Sequence, residues 1–153
     1  MRRLLVCLLL LPAALGAHPL SGQPTAHPLY GQAGSDEATI RMVVDRYLYG
    51  LKHNDVSALK EAFWPEAKLI FVKNDGTLGE LTQAKWYEGF ASVAGKLEEG
   101  ELRIAIVEVT KDAASVKVVE EYPKSRYTDY LSLLKLKGRW WIVNKIYTSD
   151  RKP

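Results

Sequence analysis

At 153 residues, 47% of them hydrophobic and with a formal charge of only +3, the chain has material for one domain around one core. It lacks the basic excess that would draw it to nucleic acid. Its one cysteine and three histidines leave little for thiol or metal chemistry.

The chain opens with Met1, Arg2 and Arg3. An apolar run from Leu4 to Leu11 and small residues up to Ala17 follow. This order of charge, apolar stretch and small residues predicts a secretory signal peptide over 1–17. The run is too short to cross a bilayer, which takes ~20 apolar residues. Cleavage after Gly16 or Ala17 would send the protein to the periplasm or the medium with no membrane attachment. It would also remove Cys7, Arg2 and Arg3, leaving 19 basic and 18 acidic residues and no cysteine. The mature chain could then form no disulfide and offer no thiolate nucleophile or metal ligand. Residues 18–34, rich in Pro, Gly, Ser and Gln, read as a flexible linker.

A single domain is expected over 35–150. Ser35 can cap a first helix, on which Ile40, Val43, Val44, Tyr47, Leu48 and Leu51 form one stripe. Asp55 caps a short second helix that ends at Trp64-Pro65. Lys68 to Val72 and Thr77 to Leu81 read as strands around an Asn74-Asp75-Gly76 turn. Thr82 caps a third helix running to about Ala94. Four long strands follow: Leu102 to Thr110, Ser115 to Tyr122, Tyr127 to Leu136 and Arg139 to Thr148. Helices followed by a meander predict an α+β fold, with three helices on one face of a curved antiparallel sheet.

This order resembles the nuclear transport factor 2-like superfamily over Asp36 to Tyr147. The segments Tyr47 to Asp55 and Phe63 to Leu69 look like its first helix and the approach to its first strand. Tyr127 to Leu136 with Lys137 to Tyr147 is similar to the C-terminal hairpin of its bacterial "putative lumazine-binding" branch. The resemblance implies a cone that encloses a pocket behind the concave sheet face. Fold does not fix function in that superfamily, which includes isomerases, cyclases, dehydratases and members without known catalysis. In its ketosteroid isomerases a carboxylate sits near the end of the first strand. Phe71 falls about there, and an apolar ring cannot act as a base.

Strand periodicity sorts the faces. With Lys137-Gly138 as a two-residue turn, Leu133 pairs with Ile142, Leu131 with Asn144 and Asp129 with Ile146. Asp129, Leu131, Leu133, Trp140, Ile142 and Asn144 then share the face that the resemblance turns inward. If Glu120 pairs with Asp129, and Val109 with Val116, then Glu120 and Arg103 join them. Two carboxylates this close cannot both ionise freely unless Arg103 compensates, so Asp129 or Glu120 becomes a candidate acid or base, with Tyr47 as donor and a structural ion pair as the competing role. Tyr47, Trp64, Phe71, Trp86, Phe90, Arg103, Asp129 and Asn144 are the expected ligand contacts. Core filling is the competing role for the aromatic ones. No spacing calls for a metal or another cofactor. On the opposite face Tyr130, Leu134, Trp141, Val143 and Tyr147 would form an apolar patch suited to a homodimer. The favoured function is an exported protein holding an apolar or aromatic small molecule. An acid-base enzyme and a structural or interaction module are the alternatives.

Overall fold

The computed structural model describes residues 29–153, with side chains from Asp36 onward. The expected signal peptide and most of the expected linker lie outside the described residues. The elements are α1 (Leu29–His53), α2 (Val56–Ala62), β1 (Phe63–Val72), β2 (Leu78–Thr82), α3 (Gln83–Glu88), β3 (Glu101–Thr110), β4 (Ala113–Glu121), β5 (Ser125–Leu136) and β6 (Arg139–Arg151). The α+β order read from the sequence is the one found. Among the described residues no helix is long and apolar enough to cross a membrane.

Helix α1 begins at Leu29, inside the stretch read as linker, and not at Ser35. No proline interrupts 29–53, so each added residue gains a backbone hydrogen bond. Asp55 caps α2 by accepting from the amides of Ser57 and Ala58, as expected. Thr82 caps α3, which stops at Glu88; the rest of the predicted helix is a run of turns.

Six strands form one curved sheet in the order β2-β1-β6-β5-β4-β3. All neighbours are antiparallel except β1 and β6, which run parallel. That exception follows from topology: the chain reaches β1 from the helices and returns to its other edge only through the final strand. The stripe Ile40, Val44, Tyr47, Leu48 and Leu51 packs α1 on the concave face. It meets Val116, Val118, Leu131, Leu133, Trp140 and Ile142, all buried.

Two registers differ from expectation by local insertions. The Lys137-Gly138 turn pairs Leu133 with Ile142 as expected, but Val143 is then an extra residue on β6. Beyond it Ser132 pairs with Asn144, Leu131 with Lys145 and Asp129 with Tyr147. On the other side of the sheet the turn is Lys111-Asp112, so Val109 pairs with Ala114. An irregularity at Ala105 then sets Arg103 beside Val119. Glu120 pairs with Tyr127 and Asp129 with Val118. That is a slip of two residues from the expected pairing, which keeps Glu120 on the inner face.

Trp140 has no exposure, whereas its neighbour Trp141 is half-buried on the other face. Trp140→Ala is expected to lower unfolding free energy in urea by about 3–5 kcal/mol. Trp141→Ala should cost less than about 2 kcal/mol, since only partly removed surface is given up. Equal losses would contradict the assignment of faces.

Candidate functional site

Four elements bring polar side chains together beneath the helices. Tyr47 comes from the buried stripe of α1, Glu120 from β4, Asp129 from β5 and Lys145 from β6. On the sheet Glu120 is a diagonal neighbour of Asp129, and Asp129 of Lys145, all on one face. Lys145 Nζ donates to Asp129 Oδ2 at 2.7 Å and to Tyr47 Oη at 2.6 Å, and lies 3.9 Å from Glu120 Oε1. Tyr47 Oη is 2.5 Å from Asp129 Oδ2 and 3.0 Å from Glu120 Oε1. Tyr122 Oη donates to Glu120 Oε2 at 3.2 Å. All four central groups are buried.

Counting protons assigns the ionisation. The Tyr47 hydroxyl has one proton for two carboxyl groups. The shorter contact is to Asp129, which also faces the Lys145 ammonium. Tyr47 therefore donates in its short contact to Asp129, and in its longer contact to Glu120 Oε1 it competes with any proton that Glu120 carries. Electrostatics agrees. Burial pushes the Glu120 carboxyl up to about 8; Lys145 opposes this and Asp129 adds to it. Burial, then the charges of Asp129 and Glu120, drive the Tyr47 phenol well above its ordinary value. Burial followed by Glu120 raises Tyr122 as well. Asp129 Oδ1 is buried with no hydrogen-bond partner.

This cluster forms the floor of an open-mouthed cavity of about 770 Å³, within the range of small-molecule sites. Glu120 and Lys145 reach its surface. Trp86, Phe90, Tyr122, Tyr127 and Tyr147 form its walls, with Glu98, Glu99 and Lys124 at the mouth. The lip from Phe90 to Gly100 is tied down by Asn54, whose amide donates to Lys96 O at 2.8 Å and Glu98 Oε1 at 3.0 Å. Among the described residues no group of three or more His, Cys, Asp or Glu is placed to hold a metal ion.

Of the ligand contacts expected from sequence, Trp86 and Phe90 line the cavity, and Tyr47 and Asp129 stand directly behind its floor. Four do not fit. Arg103 is exposed on the outer face, because of the β3 irregularity, and its charge acts on Glu121. Asn144 is turned off the inner face by the Val143 bulge, and Lys145 takes its place. Trp64 packs edge-on against Trp141, 5.8 Å between centroids. Phe71 lies over Gly79 and against Tyr147, beside a smaller recess. The same bulge removes Tyr147 from the expected outer patch and adds Ile146. Strict alternation could not have found Lys145. Charge balance could: two inward carboxylates need a buried cation, and Arg103 was assigned that role instead.

The family described as "Putative lumazine-binding" matches residues 35–148. The chain belongs to this family. Its fold is that of the nuclear transport factor 2-like superfamily. A nuclear transport factor 2-like protein of unknown function from Shewanella baltica is 26% identical, over 77% of this chain and 96% of that one, with a TM-score of 0.70. Another, from Silicibacter pomeroyi, is 23% identical over 77% and 98%, with a TM-score of 0.68. A ketosteroid isomerase-like protein from Erwinia carotovora atroseptica is 17% identical over 76% and 96%, with a TM-score of 0.57. No curated protein matches the chain. The Glu120–Tyr47–Asp129–Lys145 floor is what this chain builds beneath its open-mouthed cavity.

Glu120 gives the site a pH signature. From its ordinary value of 4.5 up to about 8, the unfolded chain has released this proton and the folded chain keeps it. Stability from this group is therefore full below pH 4.5 and is lost as pH rises to about 8. Glu120→Gln keeps an acceptor for Tyr122 and removes the titration. In thermal melts across this window the wild type should lose about 5 °C or more relative to the variant. A constant gap would contradict a neutral Glu120.

Proposed function

We propose that the protein binds a flat aromatic or apolar small molecule in the cone. The observation that carries this reading is an aromatic-walled cavity with a compact polar floor. The walls remove a ring from water and favour stacked or edge-on contact. Glu120 and Lys145 supply donors that would orient an acceptor group on the ligand. A fused heteroaromatic ring, of the class that the family's description names, has this shape and these acceptors. On the same reading the protein is exported, which rests on residues 1–17 alone.

Native mass spectrometry of protein from its host should give a mass lacking residues 1–16 or 1–17, with a bound small molecule. Trp86→Ala should weaken that ligand by about 10-fold or more. A full-length mass would remove the export reading. Unchanged affinity in the variant would remove the pocket reading.

A second reading, an acid-base enzyme, is favoured by one observation: Glu120 reaches the cavity floor beside Tyr47 and Lys145, where burial pushes its carboxyl up to about 8. Such a group suits general acid chemistry. With any substrate found, Glu120→Gln would then abolish turnover.

We also propose a homodimer through the outer sheet face. Tyr130, Leu134 and Ile146 are 39–47% exposed there, with Trp141 and Val143 half-buried beside them. Tyr130 and Ile146 are cross-strand partners, so the patch is continuous. Light scattering should show Trp141→Glu as a monomer where the wild type is a dimer. A monomeric wild type, or a dimeric variant, would reject this face as the interface.

A further inference from the structure

Lys145 does more than balance charge. Its ammonium spends two N–H groups on Tyr47 and Asp129. Glu120 Oε1, at 3.9 Å, is beyond hydrogen-bond reach, which leaves the third position toward the cavity that Lys145 lines. Aromatic rings surround the nitrogen, with Tyr147 at 5.0 Å, Tyr47 at 5.2 Å and Trp86 at 5.7 Å from it. Two carboxyl groups able to accept and donate protons stand near it, Asp129 at 2.7 Å and Glu120 at 3.9 Å. A lysine amine is the side chain that forms imines with carbonyl compounds.

We propose that Lys145 captures an aromatic or apolar aldehyde or ketone held in the cavity, forming an imine. The proposal rests on the cavity being a ligand site. The ammonium first passes a proton to Asp129 Oδ2, which it meets at 2.7 Å. The amine lone pair then forms a C–N bond to the carbonyl carbon, and the C=O π pair moves to oxygen. That oxygen takes the Glu120 proton, and the nitrogen returns one to Glu120. Glu120 protonates the hydroxyl again, water leaves, and the nitrogen lone pair closes the C=N bond. The Asp129 proton then passes through Tyr47 to Glu120. In sum, ammonium and carbonyl become a protonated imine and one water. Asp129 and Glu120 end as they began, and no oxidant or reductant is consumed.

The test uses the full mature chain with naphthaldehyde and sodium cyanoborohydride, which fixes an imine as a stable amine. Peptide mass spectrometry maps the adducts. Lys145 should be labelled at least about tenfold faster than any exposed lysine, through proximity in the bound state. Naphthylmethanol, which cannot form an imine, should protect it. Glu120→Gln should slow labelling of Lys145 on the order of 100-fold, and Lys145→Arg should remove that adduct alone. Because the map is made on the wild type, it stands even if a variant fails to fold. Labelling of Lys145 no faster than exposed lysines overturns the proposal. If naphthylmethanol quenches tryptophan fluorescence but no adduct forms at Lys145, the pocket reading survives and imine capture does not. If neither compound binds, both fail.

Discussion

The buried pair of Lys145 and Asp129 is the constraint around which the inner face is arranged. Removing two charges from water costs several kcal/mol each, and attraction repays this only with good geometry and further hydrogen bonds. Tyr47 supplies those bonds, accepting from the ammonium and donating to the carboxylate. A second ionised carboxylate at this depth would upset the balance, and Glu120 answers by keeping its proton. The cluster is neutral as a whole, so the cavity floor is polar without strong net charge.

At the closed end of the cone Trp140, Ile142, Leu131, Leu133 and Phe63 fill the space between helix and sheet. Toward the open end the last residue of the α1 stripe, Leu51, lines the cavity itself. The polar cluster occupies the boundary, and the rings beyond it stand apart as walls. Phe63, Tyr47 and Trp86 meet across this boundary at centroid separations of 5.4 to 6.4 Å. Aromatic contact thus joins the packed core to the cavity wall. The lip is held differently, by hydrogen bonds from Asn54 and by Lys52 donating to Gly100 O.

Much of this was legible in the sequence, for identifiable reasons. The 3.6-residue stripe of α1, the caps at Asp55 and Thr82 and the glycine turn at Lys137-Gly138 are local signals, and each was read correctly. Lys137 and Gly138 both take positive φ, as the turn requires. Asp129 and Glu120 were placed on the inner face because period-2 alternation survives any slip of two residues, and Tyr47 because it belongs to the helical stripe of α1. What alternation cannot reveal is a single inserted residue. Val143 and Ala105 each shift everything beyond them to the other face, which moved Asn144, Tyr147 and Arg103. Neither residue carries glycine or another sign of irregularity.

The bulge at Val143 is therefore a choice of floor. Had β6 continued in register, Asn144 would face the cavity and Lys145 the outside. The inner face would then hold two carboxylates and no cation. With one extra residue the sheet exchanges a neutral amide for an ammonium and turns Tyr147 inward beside it. The outer face receives Ile146 and Asn144 in their place, so the same local event shapes both the cavity and the candidate partner surface. A bulge costs a disrupted ladder and an unpaired residue, and here the compensation is visible in the Lys145–Asp129 bond. Deleting Val143 would not merely shorten a strand. It would move the cation out of the core and leave Asp129 buried alone, which proteins of this size tolerate poorly.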